Sequence, residues 1–508
     1  MRTTKLAYLV IAVAGWSLLA AGAVARIGID VDADSLDART MANTTSQRVV
    51  NLVYDALVQL DVTLTPQPDL ALSWESPDPV TWVFHIRQGV VFHDGTPLTA
   101  EDIVYTYRTI LDPALGARYR TLYTPIARVE ALDPYTVQFV LTAPYAPLLS
   151  YLDLGIVPKH LAETGEWDLS QKPVGSGPFA FVGWDKGSKI TLVRNDRYWG
   201  TQPKVEGLEF VLVPDNTARA QALEAGDLDL IQVPLSPSDV VRLQSDPRFI
   251  TVNVPGLEFT YLNFNTARGP LADPGVRRAL SMLVDQVTIA RTIYQNTQSP
   301  ATSILIPSVW GYTEDVTQPK YDPTAAVALL NSLGWTDTNR DGFLDKGGQP
   351  LKVILSTHSE DPNRVEIVEY LQYVFTTAGV QASVSITDWP ALTAKRASGD
   401  YEVFVLGWTS LIDPDRGMYN QLHSKGGTNW GKYSNPDLDA LLDAARTTLV
   451  LDERIELYQQ AAQIIADDVP YYIIAYASYI AIHSNALKNF VPNPRGFLRG
   501  LVTAQLAR

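Results

Sequence analysis

The sequence contains no cysteine among its 508 residues. Disulfide bonds, thiolate metal sites, a cysteine nucleophile and a lipid anchor attached to cysteine are therefore excluded. Histidine is also scarce, with six residues, and none of them forms an H-E-x-x-H pattern or a short-spaced pair that would ligate zinc. We therefore expect no resident metal and no cofactor, and no residue is marked as a catalytic nucleophile.

Positive charge is in the minority, because 40 Lys and Arg stand against 55 Asp and Glu, for a net charge of −15. Such a surface repels a phosphate backbone, so nucleic acid is not expected as a partner. Internal repeats and low-complexity linkers are absent. The 46% hydrophobic content, with 24 Tyr and 11 Trp, is typical of a globular protein, and the length predicts roughly two to three domains.

Residues 1–25 read as an export signal or an N-terminal anchor. Arg2 and Lys5 form a positive start, residues 6–19 form an apolar core, and residues 23–25 form a small-x-small cleavage site. The apolar segment is also about long enough to span a bilayer without being cleaved. In both cases we expect the body of the protein in the periplasm or outside the cell, and a membrane contact through an uncleaved anchor remains open.

Residues 81–110 combine several local signals. The alternation at 82–86 predicts a strand with one buried face, and the apolar run at 90–92 predicts its partner strand. Gly95, after an aspartate, indicates a tight turn. Thr and Asp at positions 99–102 predict a capping box at the start of a helix.

The complete string, W-x-F-x-I-R-x-G-V-x-F-x-D-G-x-P-L-T-A-x-D-I, resembles the signature of the family-5 extracellular solute-binding proteins of ABC transporters, the peptide/nickel-binding group. Residues 172–200 carry a second match, P-V-G-S-G-P-F, then an alternating strand and R-N-x-x-Y-W. The A-L-x-A-G-D-x-D-L pattern at 222–230 is also similar to the family. The Gly-Ser-Gly at 175–177 lacks the two further positions of a nucleophile elbow.

Strands and helices alternate along the chain, so the fold class is α/β. The resemblance covers essentially the whole chain after the export segment. It implies a two-lobed, type II periplasmic-binding-protein fold with an extra domain and a discontinuous first domain. The expected domain I consists of three segments, 26–47, 172–257 and 480–508, while domain II is expected at 48–171 and domain III at 258–479.

The resemblance points to a loop that would bind the ligand. In peptide-binding relatives an acidic residue just after a G-W strand holds the α-amino group of the ligand. That stretch here is G-W-T-S-L-I-D-P-D, residues 407–415, and the expected acid aligns with Leu411. Either Asp413 turns towards the ligand or the ligand differs, because a buried ammonium needs a partner charge. Asp413 and Asp415 equally fit a turn around Pro414.

Six further residues are candidates for ligand contact, each with a structural alternative. In peptide-binding relatives a cation binds the carboxylate of a dipeptide, and His358 aligns with that cation. Histidine can donate a hydrogen bond to a carboxylate; the alternative is that His358 lies in a solvent-exposed loop. Trp408 can form an apolar wall of the cleft or core at a strand end. The weaker candidates are Tyr261 and Asn263 on the predicted strand FTYLNFN, Asn429, which can support the next turn, and Ser46, which faces a cleft or caps the helix predicted over 46–57.

The segment D-T-N-R-D-G-F-L-D at 337–345 partly matches a calcium loop. Asp337, Asn339 and Asp341 occupy positions 1, 3 and 5, with glycine at position 6. Position 12 is Gly348 instead of the bidentate glutamate. A structural turn is therefore favoured over a calcium site.

The resemblance implies a monomeric, exported substrate-binding protein that captures a small solute, most simply a peptide, between two closing lobes. It would deliver the solute to an ABC permease and its ATPase subunits, without acting as an enzyme. Two alternatives remain open. The ligand can instead be a nickel chelate bound by His423 or His358, glutathione, haem or an oligosaccharide, or the scaffold can carry an exported hydrolase.

Overall fold

The computed structural model describes residues 23–233, 235–409 and 411–507. Most of the predicted export segment, residues 1–22, lies outside the described residues. The first strand begins at Val24, two residues before the predicted boundary of domain I. Ala25 is fully buried in that strand, so the last two residues assigned to the export segment belong to the folded body.

Helices and strands alternate along the described chain. The strands are β1 (Val24–Ile29), β2 (Val58–Leu60), β3 (Pro66–Pro68), β4 (Ala71–Asp78), β5 (Thr81–Ile86), β6 (Ile126–Asp133), β7 (Thr136–Leu141), β8 (Phe179–Asp185), β9 (Lys189–Arg194), β10 (Gly207–Leu212), β11 (Leu230–Ile231), β12 (Phe249–Phe264), β13 (Gln298–Pro300), β14 (Asp345–Lys346), β15 (Gln349–Pro350), β16 (Lys352–His358), β17 (Gln381–Thr387), β18 (Val403–Trp408), β19 (Tyr471–Ser484), β20 (Leu487–Lys488) and β21 (Gln505–Leu506). The α-helices are α1 (Thr44–Val53), α2 (Ala100–Leu111), α3 (Lys159–Ala162), α4 (Asn216–Ala225), α5 (Pro237–Gln244), α6 (Pro274–Met282), α7 (Gln286–Thr292), α8 (Pro323–Ser332), α9 (Pro362–Thr377), α10 (Trp389–Ser398), α11 (Pro414–Leu422), α12 (Pro436–Thr447) and α13 (Leu451–Asp468).

One mixed sheet of eleven strands runs through the molecule in the order β17-β16-β18-β12-β19-β11-β1-β10-β9-β8, with β13 on β19. A separate antiparallel sheet, in the order β4-β5-β7-β6, forms the centre of the expected domain II. Strands and helices are therefore mixed throughout, and the predicted α/β class is confirmed. A separate apolar core lies in the expected domain III, under α6, α8 and α9.

The long strands β12 and β19 pair antiparallel and cross from one half of the large sheet to the other. Their pairing is interrupted by a bulge between Pro255 and Phe259, and its register shifts again between Thr260 and Tyr261. A bulge locally bends its strand, and this one coincides with the border expected between domains I and III, at 257/258. Leu257 and Glu258, which lie in the bulge, face the cleft described below.

The local predictions for the signature stretch are mostly confirmed. β5 forms as predicted, and Asp102 at the start of α2 accepts a hydrogen bond from the Thr99 backbone N–H at 2.9 Å. Gly95 has a φ of 94°, which favours glycine. The predicted partner strand at 90–92 is wrong, because Val91 makes only an isolated bridge to Pro97.

The predicted cap at Ser46 is also wrong. Asn43 caps α1, and its side chain accepts from the Ser46 backbone N–H at 2.8 Å. The helix ends at Val53 instead of Leu57, since Tyr54 adopts an extended conformation. This early end places the next residue, Asp55, beneath the cleft.

The 337–345 segment is a turn held by its own donors. The Asp337 carboxylate accepts from the backbone N–H groups of Asp341, at 3.2 Å, and Gly342, at 3.1 Å. Asp345 accepts from the Thr338 hydroxyl at 2.7 Å. These bonds organise the loop ahead of the β14–β15 hairpin.

Candidate functional site

A cleft with a volume of about 660 Å³ lies between the two halves of the molecule. One wall comes from α1 and the expected domain II, and the opposite wall comes from the β12 bulge and the segment after β18. The C-terminal segment, 491–500, closes one side. The walls are rich in aromatic side chains, namely Tyr54, Tyr119, Tyr123, Tyr151, Tyr479 and Phe497.

Beneath the cleft, the fully buried Asp55 collects four hydrogen-bond donors. The Ser176 hydroxyl donates at 3.0 Å, the Tyr198 hydroxyl at 3.2 Å, the Trp199 indole at 2.8 Å and an Arg499 guanidinium N–H at 3.0 Å. Ser176 belongs to P-V-G-S-G-P-F, and the two aromatic residues belong to R-N-x-x-Y-W. The two motifs therefore meet at one buried carboxylate, which ties the end of α1, the 175–177 crossover and the C-terminal segment together.

A second carboxylate, Asp69, lies beside this cluster and lines the cleft. Burial and the neighbouring Asp55 raise the pKa of Asp69 to about 7, against the opposing effects of Arg499 and of the hydrogen bond from Ala56 N–H. The side chain is therefore partly protonated near neutral pH.

Asp69→Asn is expected to remove a pH dependence of stability. An unfolded aspartate titrates near ~4, so between about pH 4 and about pH 7 the native protein binds more protons at this group than the unfolded chain. The free energy of unfolding therefore falls as the pH rises through that window. The loss is on the order of 1–4 kcal/mol, and urea unfolding near the two ends of the window measures it. An unchanged pH dependence in Asp69→Asn, judged against the exposed control Asp196→Asn, would contradict this assignment.

Three of the four arginines that line the cleft are paired. Arg39 bonds to Asp37 at 2.7 Å, Arg495 bonds to Asp153, and Arg499 bonds to Asp55. The fourth is Arg416, in the first turn of α11. Its guanidinium makes no ion pair with any carboxylate of the described residues, and its Nε is buried without a hydrogen-bond partner.

Asp413 and Asp415 are both committed to buried ion pairs. Asp413 is fully buried, lies 3.1 Å from Arg454, and accepts from the Ser150 hydroxyl of the opposite lobe at 2.9 Å. Asp415 bonds to Arg446 at 2.8 Å. Burial raises the pKa of Asp415, and Arg446 lowers it. Asp413 also caps α11, as the turn alternative predicts.

The other predicted site residues also have protein partners. His358 bonds to Glu360 at 2.9 Å and to Arg364 at 3.2 Å. Trp408 packs on Trp430, with 6.1 Å between ring centroids. The remaining contacts are a stack of Tyr261 on Tyr471 at 4.6 Å, a bond from the Tyr401 hydroxyl to Asn263 at 3.0 Å, bonds from Asn429 to the His423 and Tyr433 carbonyls, and a bond from the Ser46 hydroxyl to Asp34 at 2.5 Å.

None of the eight predicted side chains is among the residues that line the cleft. Four of them are direct chain neighbours of lining residues, because Gln47, Thr409, Ile412 and Arg416 face the cleft in their place. Adjacent residues point in different directions on a strand and on a helix. Four of the eight predicted residues therefore lie in segments that border the cleft, where a neighbouring residue faces it, and the ligand contacts predicted for all eight stay predictions. No pattern in the sequence indicated that Arg416 faces the cleft. The ligand contact was instead predicted for the carboxylate of its neighbour Asp415.

Among the described residues there is no group of three His, Cys, Asp or Glu side chains that could hold a metal ion. His423, proposed as a nickel ligand, is buried between Asp439 and Asp443 at 3.7 and 3.4 Å. No helix within residues 23–233, 235–409 and 411–507 is both long and apolar enough to cross a bilayer.

Solved structures share this architecture over nearly its whole length. HbpA2 from Haemophilus parasuis superposes with a TM-score of 0.87 at 25% identity, covering 95% of this chain and 99% of that one. The oligopeptide-binding protein AppA from Bacillus subtilis, in complex with a nonapeptide, gives a TM-score of 0.71 at 28% identity, covering 96% and 99%. The two-lobed fold with an extra domain and a cleft between its lobes is that of a solute-binding protein.

The sequence comparisons identify the family. The pattern of the bacterial extracellular solute-binding proteins, family 5 middle, matches residues 65–429. The dipeptide-binding protein of Escherichia coli (strain K12) is 31% identical over 477 residues, which are 87% of each chain. The chain belongs to family 5 of the bacterial extracellular solute-binding proteins, which serve ABC importers outside the cytoplasmic membrane.

Proposed function

We propose that this protein captures a short peptide in the 660 Å³ cleft and delivers it to an ABC permease. The observation that supports this ligand class is the cleft itself, because its volume and its aromatic walls suit a solute of that size. The nonapeptide bound by the Bacillus subtilis AppA and the name of the Escherichia coli dipeptide-binding protein favour the same class. A nickel chelate is less well supported, since no histidine is among the residues that line the cleft.

The mechanism is differential affinity for two arrangements of the lobes. Ligand contacts from both walls stabilise the closed form, and the β12–β19 bulge at the border of domains I and III supplies the hinge. In this structure the Ser150 hydroxyl donates to Asp413 across the lobes at 2.9 Å. The protein acts as a monomer without turnover, and the permease recognises its closed surface. The domain boundaries proposed above, with the start of domain I moved to Val24, describe these moving parts.

The test is a thermal-shift screen with peptides of two to nine residues, nickel–histidine, haem, glutathione and oligosaccharides. A peptide at about 100 times its Kd is expected to add ~2.7 kcal/mol to the free energy of unfolding, which raises Tm by about 3 °C or more. Hydrolysis of the same peptides is followed by mass spectrometry, and no turnover is expected. Stabilisation by a non-peptide ligand with no response to any peptide would reject the peptide assignment.

A further inference from the structure

We propose that Arg416 binds an anionic group of the ligand, namely the terminal carboxylate of a peptide, and that the segment after β18 makes no charged contact with an α-ammonium group. The protein would then accept peptides whose N-terminus is blocked. This inference rests on the proposed function, since it concerns how a peptide is held in the same cleft.

The charge around Arg416 is not balanced by its neighbours. Asp413 and Asp415 are the acids nearest to it in the chain, but Arg454 and Arg446 already neutralise them. These four residues sum to zero, so none of them neutralises Arg416. A cation without an ion-pair partner lowers the stability of the fold where it is partly buried, because burial removes part of its hydration.

The position of Arg416 in α11 adds to that cost. It follows Asp413, Pro414 and Asp415, so it is in the first turn of the helix. A cation at the N-terminal end of a helix opposes the helix dipole. Helix stability therefore gives no reason for arginine at this position, whereas an incoming carboxylate does, since a guanidinium binds it with two parallel hydrogen bonds.

Tyr151, on the opposite wall, lies next to this guanidinium. Burial raises the pKa of the Tyr151 hydroxyl, Asp413 and Asp415 raise it further, and Arg416 lowers it by its charge and by hydrogen bonding. A carboxylate that displaces this hydrogen bond would receive donors from both side chains, one from each lobe. Closure of the lobes would then complete its binding site.

The carboxylates that line the cleft are all occupied within the described structure. Asp153 pairs with Arg495, and Glu258 lies 3.4 Å from Arg364. Asp61 accepts from the donors of its own loop, including Thr63 N–H at 2.8 Å, and Asp69 accepts from Ala56 N–H at 3.1 Å. Asp153 and Glu258 therefore each have a cation as partner, whereas Asp61 is hydrogen-bonded only to neutral donors and keeps its charge.

The segment after β18 also lacks a carboxylate that is free to bind an ammonium group. The position where peptide-binding relatives are expected to carry the amine-holding acid is Leu411, which is 3% exposed and part of the main apolar core. Asp413, the alternative acid two residues further on, is fully buried in its pair with Arg454. The residues of this segment that line the cleft, Thr409, Ile412 and Arg416, therefore offer no carboxylate to a free ammonium.

The experiment uses peptide libraries of two to five residues prepared in three forms: free, N-acetylated and C-amidated. Native mass spectrometry of the full chain identifies the peptides retained, and titration gives their Kd. We expect N-acetylation to change Kd by less than about 3-fold, and C-amidation to weaken binding by about 10- to 100-fold, as for a lost charge-assisted hydrogen bond.

Arg416→Gln tests the assigned residue. It should weaken the free peptides by the same 10- to 100-fold and abolish the difference between the acid and the amide. The matched control is Arg396→Gln. Arg396 is also half-buried and stacks over Trp430 at 3.4 Å, makes no ion pair with a described carboxylate, and does not line the cleft. Unchanged Tm values without ligand show that both variants are folded.

Three results would overturn the inference. N-acetylation that abolishes binding to the native protein would show that an ammonium contact exists, and loss of binding in Asp61→Asn or Glu258→Gln would identify its acceptor. An amide that binds as well as the acid would remove the role of Arg416. If no peptide binds in any of the three forms, the proposed function itself fails, and the inference fails with it.

Discussion

Arg499→Met is expected to lower the free energy of unfolding by about 3–5 kcal/mol. The substitution leaves the Asp55 carboxylate fully buried without its cation. It also removes hydrogen bonds from the Arg499 guanidinium to the backbone carbonyls of Asn51 and Tyr54, each at 2.8 Å. Urea unfolding followed by circular dichroism measures the change.

Two controls separate the buried charge from the loss of an arginine as such. The double variant Asp55→Asn/Arg499→Met removes both charges and should recover a large part of the lost stability. Arg268→Met breaks an exposed pair with Asp400 and should cost less than about 1 kcal/mol. Equal effects of Arg499→Met and Arg268→Met would show that the Asp55 cluster does not stabilise the fold.

Gly175→Ala is the second substitution for which we expect a large loss. A Cβ atom at this position would lie 2.1 Å from the backbone carbonyl oxygen of Val53, a separation that requires the crossover to move away from the end of α1. Overpacking of this kind costs about 3 kcal/mol. The movement would also disturb the hydrogen bond from Ser176 to Asp55, so the lobe connection and the cluster should weaken together.

Gly183→Ala is the matched control, because a Cβ there meets no atom within 4 Å. Its strand, β8, tolerates a side chain, and the change should lie within about 1 kcal/mol of zero or be slightly stabilising. Thermal unfolding of both variants gives the comparison. A Gly175→Ala protein as stable as Gly183→Ala would mean that the crossover does not pack closely on α1.

The Asp55 cluster explains why the motifs P-V-G-S-G-P-F and R-N-x-x-Y-W carry a serine, a tyrosine and a tryptophan. Ser176, Tyr198 and Trp199 all donate to the same carboxylate. Their chain positions are far from Asp55, so the sequence showed the motifs without showing what they hold. Together with Arg499, the cluster joins the start of the expected domain II to two separate segments of domain I, and a discontinuous domain needs contacts of this kind.

The local elements could largely be predicted from the sequence. Alternation identified β5, and the Thr and Asp at positions 99–102 identified the capped start of α2. These features depend on residues near one another in the chain. The strand predicted at 90–92 was wrong because the chain forms a turn there. The cap predicted at Ser46 was wrong because Asn43, three residues earlier, caps α1.

The sequence by itself determined the α/β class and the family, because these are carried by local periodicity and by long motif strings. Only the tertiary structure decided which side chain of each segment faces the cleft. Arg446 and Arg454, on helices that follow later in the chain, capture Asp415 and Asp413, and this pairing leaves Arg416 on the cleft wall. That choice depends on charge pairing between distant segments, which no local pattern records.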